Sequence, residues 1–436
     1  MTRSWRAGIA RVLAPRRTVP GAEPERGAMS RRAIADLHCH YPMHLVPAES
    51  HPPGYKKSLL ERLRDLLQSD IIGVLARVLN DRGWWSGWRV DVQGLEQGGT
   101  GLICSVLYWP AAEFDFARRY GSAPLERYFS DLRSQLQHVE ADLNEHIARG
   151  SAVTIAKQAA DLDQRGGVVF VHCVEGGFQL GPDIDTIDEH VAWLAAEGVF
   201  YITVAHLFYR RVATNAPAIP MLSDREYNKL FHQPKQGLTK LGEALVRSMH
   251  KHKVLIDVSH MTERSIEQTF ALVEALDAQS GAAAHDYPLI ATHVGMRSAG
   301  PGEQEYNLSP DTAKRIQARG GLIGLIMAQH QLGETSSEAQ SREVLHGHLD
   351  AIAALGAGHT TTALGTDIDG FIRPTLEGIE RASDLAKLAA WIEEYSPGDA
   401  GAILYGNAHR VIKRTFEVRA AALGALGGTS PPAPPG

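Results

Sequence analysis

Eight short runs of apolar, often β-branched residues punctuate the chain, and segments with helical spacing lie between them. They read "AIADL" (33–37), "GLICSVLYW" (101–109), "GVVFVHCV" (167–174), "VFYITVAHL" (199–207), "VLIDVSH" (254–260), "PLIATH" (288–293), "GLIGLIMA" (321–328) and "TTALGTDI" (361–368). Continuous apolarity over such lengths suits strands buried on both faces, the parallel-sheet pattern. Stretches such as "DEHVAWLAAEG" and "LTKLGEALVRSMHKH" supply crossover helices. Eight parallel strands close a barrel, so the expected fold class is α/β, a (β/α)8 TIM-type barrel.

All strand C-termini of such a barrel meet at one mouth. Run one leads into His38 and His40, run three into Glu175, and run four ends near His206. Runs five and six end at His260 and His293, and run eight holds Asp367. A histidine that ends one strand is usually a packing residue. Six strand ends carrying metal-competent or acid/base groups form the pattern of a site assembled from several strands. The motif His38-Cys39-His40 is weak alone, because 20 histidines in 436 residues give about one His-x-His by chance. The chain has two more, "HKH" (250–252) and "HGH" (346–348), among charged residues with helical spacing, where a solvated face is expected. On a strand, His38 and His40 share a side and Cys39 faces the other. His172, three positions before Glu175, is expected to point away from it and pack.

A length of 436 residues and 44% hydrophobic content allow a large core, and no apolar run reaches the length of a membrane helix. The formal charge of −6 gives no general attraction to nucleic acid or anionic membrane. Cys39, Cys104 and Cys173 cannot all pair and show no Cys-x-x-Cys spacing, which favours a reducing, cytoplasmic setting and argues against a thiolate zinc site. Residues 1–32 are arginine-rich and are expected to be a disordered basic tail or a misassigned start, with Met29 the alternative start. The barrel is expected over 33–420, followed by a disordered Pro/Gly-rich tail over 421–436. The pattern leaves a homo-oligomer open.

The blocks "QGGTGLICSVLYWP", "HCVEGGFQLG", "GVFYITVAHL", "GLTKLGEALVRSMHKHKVLIDVSHMTE", "LIATHVGMRSAG" and "ALGTDIDGF" resemble, in order from about 33 to 415, those of the membrane (renal) dipeptidase family within the amidohydrolase group. The resemblance implies a binuclear zinc site. His38 and His40 would hold one metal, Glu175 would bridge both, and His260 and His293 would hold the other. Asp367 would be the catalytic carboxylate and His206 would contact the substrate carbonyl. The donor chemistry agrees, since imidazole and carboxylate suit Zn²⁺, and a shared carboxylate with a bridging hydroxide holds two cations roughly 3.5–4 Å apart. Asp369 is expected to shape a turn.

Two departures from the family pattern bear on function. The first block reads His-x-His where the family has His-x-Asp, which removes one negative charge and leaves the metal's identity open. Where the family places an arginine that grips a dipeptide's carboxylate, "EQEYNLSPD" has Tyr306 before Asn307. Arg297 is the candidate substitute, with loop anchoring its simpler role. Tyr306 offers one neutral donor at most, so weak dipeptidase activity and better turnover of an uncharged amide are expected. Trp84, Trp85 and Trp88 crowd the connection after run one, as packing under a long loop or as a lid. The functional expectation is a zinc-dependent hydrolase of a dipeptide or related small amide. A lactone, cyclic amide or phosphoester hydrolase is the alternative on the same site. A catalytically inactive binding barrel is disfavoured, because every ligand position holds a competent residue.

Overall fold

Each of the eight apolar runs forms a parallel strand in the structure, a computed structural model that describes residues 33–44, 88–114, 118–164, 166–220, 222–302 and 304–425. Residues 1–32, Trp84, Trp85 and 426–436 lie outside the described residues. The strands are β1 Ile34–Cys39, β2 Thr100–Leu107, β3 Val153–Ala156, β4 Val168–Glu175, β5 Tyr201–Thr203, β6 Leu255–Asp257, β7 Ala291–Val294, β8 Ile323–Leu325 and β9 Thr362–Leu364. Pairing runs β6-β5-β4-β2-β1-β9-β8-β7, with β3 beside β4. The two ends of that path meet: Val258 N donates to Ile290 O at 2.8 Å and Ile290 N to Ile256 O at 3.1 Å. The result is a nearly closed (β/α)8 barrel.

The ninth strand, β3, was not expected from the sequence. It pairs with the first half of β4, Val153↔Val168 to Ala156↔Val171, and β5 takes over at Val174↔Ile202. β3 is short and half-buried at its centre, so it lacks the continuous apolarity that marks the other strands. At the other side of the barrel, a Cβ on Gly365 would stand 1.7 Å from the Thr292 carbonyl oxygen, so β7 and the end of β9 approach too closely for any side chain there.

The principal helices are α1 Arg127–Ala148, α2 Ile184–Ala196, α3 Lys240–His252, α4 Glu263–Ser280, α5 Pro310–Ala318, α6 Glu338–Ala353, α7 Leu385–Tyr395 and α8 Asn407–Ala425. Several start on a hydroxyl cap: the Thr239, Thr262, Ser309 and Ser337 side chains accept from Gly242, Ser265, Thr312 and Gln340 N–H. Such caps turn the chain from strand to helix within a few residues. Between the end of β6 and the Thr262 cap lie only 258–261, and this tight turn holds His260 at φ 65°.

α8 runs five residues into the segment that composition assigned to the C-terminal tail, because "AAALGA" is good helix sequence. The buried Arg419 fastens this helix to the barrel by donating to the carbonyls of Ala195, Val199 and Lys253. The solvated-face reading of the two other His-x-His motifs is corrected. His250 is buried with Nε2 2.9 Å from Asp277 Oδ1, and His348 is buried between Met296 N and Leu332 O. Each motif turns one ring inward and uses it as a structural hydrogen-bonding group. Among the described residues, no helix is long and apolar enough to cross a membrane.

Candidate metal centre

Seven of the residues singled out in the sequence converge at the C-terminal mouth of the barrel. Glu175, the last residue of β4, is at their centre. Its Oε1 lies 3.2 Å from His38 Nε2, 3.5 Å from His260 Nε2 and 3.4 Å from His293 Nε2. Its Oε2 lies 3.4 Å from His40 Nε2 and 3.1 Å from His206 Nε2. Asp367 Oδ1 stands opposite, 3.1 Å from His40 Nε2 and 3.8 Å from His38 Nε2. His260 Nε2 and His293 Nε2 face each other at 2.9 Å. Backbone bonds from Asp367 N to His38 O, 2.8 Å, and from His40 N to Ile368 O, 3.1 Å, bring the chain's two distant ends into register here.

Charge states suit cation binding. Burial lowers the pKa of His40 and His260, and of His293 most strongly, so these rings are neutral with a lone pair to give. Burial alone would raise the Glu175 carboxyl, but the neighbouring His206 and His38 hold it well below the usual carboxylate range. Burial pushes Asp367 well above that range. His38 Nε2, Glu175 Oε2 and Asp367 Oδ1 are buried without an aligned hydrogen bond. Buried polar atoms without partners are costly and call for explanation. Three overlapping triads, His38/His40/Asp367, His38/Glu175/His293 and Glu175/His206/His260, each bring ligand atoms within 4.8 Å of one another. Donor set and unpartnered atoms both fit divalent cations.

The ligand rings are oriented by groups that sequence reasoning did not select. Thr292 Oγ1 donates to Asp257 Oδ2 at 2.7 Å, so its contacts with His293 Nδ1 at 2.8 Å and His38 Nδ1 at 3.1 Å use the oxygen as acceptor. Tyr201 donates its proton to Leu37 O and accepts from His38 Nδ1 at 2.9 Å. In these contacts Nδ1 is the donor, and the Nε2 of each ring is turned to the site. Asp257 is itself held by Thr203 Oγ1 and by Ser259. We expect Thr292→Val to weaken divalent-metal affinity about 10–100-fold, the usual cost of losing such an outer partner. Competition against a chelating dye measures it; unchanged affinity would show that the tautomers are set elsewhere.

Glu113 is a second unselected group. It follows β2 in the short helix Pro110–Glu113, is 1% exposed, and lies 2.5 Å through Oε2 from His206 Nδ1. Its oxygens also accept from Tyr108 Oη and Phe208 N, both at 2.8 Å. Arg210 donates to its backbone carbonyl. Burial would depress the His206 pKa, but the Glu113 and Glu175 carboxylates raise it to about 10. His206 thus presents a protonated Nε2 to the site.

The segment after β9 places the second carboxylate with unusual backbone. Asp367, Asp369 and Phe371 all have positive φ, 59°, 69° and 66°. Asp369 Oδ2 accepts from Arg89 N and Val90 N, so this carboxylate anchors the segment next to Trp88, which is 40% exposed. Gly370 packs directly behind Asp367: a Cβ there would stand 1.8 Å from Asp367 Oδ1 and 2.7 Å from His40 Cδ2. Gly370→Ala must therefore displace the carboxylate. We expect kcat to fall about 100-fold, the order of loss from a 1 Å misplacement. A thermal melt alongside the kinetics checks this; full activity in a folded variant would show that the position of Asp367 is not critical.

A comparison with known proteins decides the family. The pattern defining the membrane dipeptidases, peptidase family M19, matches residues 67–424. The chain belongs to the membrane dipeptidase family. That places it in the class of metal-dependent hydrolases. Dipeptidase tcpJ of Claviceps purpurea is 23% identical over 348 residues, 78% of this chain and 72% of that protein. An uncharacterized protein in the pqqA 5' region of Klebsiella pneumoniae is 29% identical over 190 residues, 42% of this chain and 62% of that protein. A crystal structure of a Rhodobacter sphaeroides metallopeptidase, liganded with a phosphinate mimic of the dipeptide L-Ala-D-Ala, shares the fold. Its TM-score is 0.62 at 18% identity, covering 88% of this chain and 99% of that one.

In this membrane dipeptidase family member, the two residues expected to meet substrate are engaged with the backbone. Arg297 lies to one side, its Nε and Nη2 donating to the carbonyls of Gln304, Glu305 and Asn307 and pairing with Glu263 at 3.1 Å. It anchors the loop and does not line the cavity at the mouth. Tyr306 does line that cavity, but its hydroxyl donates to His293 O at 2.7 Å. The hydroxyl proton is committed to the backbone, and the ring forms a wall against His260 at 4.9 Å. His172 packs away from the site as expected, buried and pushed down to about 3 by burial.

Proposed function

We propose that this chain hydrolyses a dipeptide or related small amide at a binuclear zinc site, R–CO–NH–R′ + H₂O giving R–COOH and H₂N–R′. The observation that carries the reading is Glu175, whose two oxygens each face histidine nitrogens of different strands, with Asp367 across the site. His38 and His40 would hold one cation, His260 and His293 the other, with Glu175 shared. Two such cations would supply Lewis acidity and would make a water at the site easier to deprotonate near neutral pH.

The chain's own groups supply the proton transfers. Asp367 Oδ1 takes a proton from the attacking water and returns it to the leaving nitrogen, a role suited to a carboxyl whose pKa burial has raised. His206 Nε2–H donates to the substrate carbonyl oxygen as negative charge builds there. Glu113 fixes that ring through Nδ1. The reading is tested with zinc-replete protein on a panel of dipeptides, N-acyl amides and lactones, with a chelator control. Chelator-sensitive release of amine from an amide is expected; lactone turnover alone, or none, would contradict it.

A further inference from the structure

A cavity of about 190 Å³ opens beside Asp367, His206 and His260. Its walls are chiefly Phe114, Phe208, Ile219, Ile326, Phe371 and Ile372. Among the described residues, no lysine or arginine lines it. Arg297 is committed to loop carbonyls and Glu263, and Arg210 to the Glu113 carbonyl. The groups that remain beyond the metal centre are neutral. His330 lines the cavity and is kept uncharged by burial, its pKa pushed down to about 3. Gln331 also lines it, is 3% exposed, and has its Oε1 buried with no hydrogen-bond partner.

Beyond His206 and the metal centre, a carboxylate entering the apolar part of this cavity loses its water and meets no lysine or arginine among the described residues, which is unfavourable. An apolar group carries no such desolvation cost and packs against the aromatic and aliphatic walls. Resting on the amide-hydrolase reading above, we infer that the part of the substrate seated in this cavity is bulky, apolar and uncharged, a capped amide in place of a free C-terminal carboxylate. The enzyme is then a hydrolase of blocked small peptides or acyl amides, with free dipeptides as poor substrates.

The test pair is Ala-Phe and Ala-Phe-amide, which differ only at the terminal group. Release of phenylalanine or its amide by zinc-replete protein gives kcat/KM, and calorimetry on the Asp367→Asn variant gives Kd for both. At least tenfold preference for the amide is expected in both readouts, the scale of one charge-assisted hydrogen bond withheld from the acid. Ile219→Arg, at the half-exposed rim and so tolerant of a charge, is expected to narrow that preference about tenfold. A wild type that prefers the acid, or treats both alike, overturns the inference, as does an unchanged ratio in Ile219→Arg or failure of both compounds to bind. Selective binding of the amide without cleavage of either compound upholds the inference and defeats the amide-hydrolase reading.

Discussion

Asp367→Asn is expected to lower kcat about 10²–10⁴-fold, the range of a positioned general acid–base, without unfolding the protein. Asparagine keeps the shape, and Asp367 N remains bonded to His38 O. The effect on stability has a definite sign. Burial raises the folded-state pKa of Asp367, so near pH 7 its ionisation in the metal-free protein costs stability that is recovered as the pH falls through that pKa. The uncharged variant should therefore melt no lower than wild type when metal is stripped. Asp369→Asn is expected to cost less activity, because that carboxylate holds backbone N–H groups of Arg89 and Val90. A reversed order of the two variants would mean that the proton carrier is Asp369.

The other large effect is expected at Glu175. Glu175→Gln preserves volume but removes the negative charge that five imidazoles surround. Its loss should exceed the 10–100-fold typical of outer partners and should appear as metal content below two per chain. Asp367→Asn should retain at least one metal, since His38, His40, His260, His293 and Glu175 remain. The two variants separate binding from proton transfer: one loses cations, the other loses turnover. A Glu175→Gln protein with full metal content would remove this carboxylate from the ligand set.

The barrel was legible because parallel strands buried on both faces leave continuous apolar runs, and the site was legible because barrel geometry gathers their ends. β3 was not, being four residues with the central two only half-buried, along one edge of β4. Among the residues missed, Asp257 and Asp36 carried a readable signal. Each is an acid inside an apolar strand, where burial demands partners. Those partners are Thr203, Ser259 and Thr292 for Asp257, and Thr366 with the His38 N–H for Asp36. Glu113 carried less, one acid in "YWPAAEF" with nothing local to tie it to His206, 93 residues away. The engagement of the Tyr306 hydroxyl with a backbone carbonyl could not be read from residue type at all.

The metal content of wild-type protein tests the account most directly. Elemental analysis after mild purification, repeated after exhaustive chelation and again after zinc addition, counts the ions that the Glu175-centred histidines hold. The expected result is close to two zinc per chain before stripping and again after reloading, with amide hydrolysis lost and restored in parallel. Metal content near zero, with no uptake from added zinc, would contradict the binuclear site and everything drawn from it.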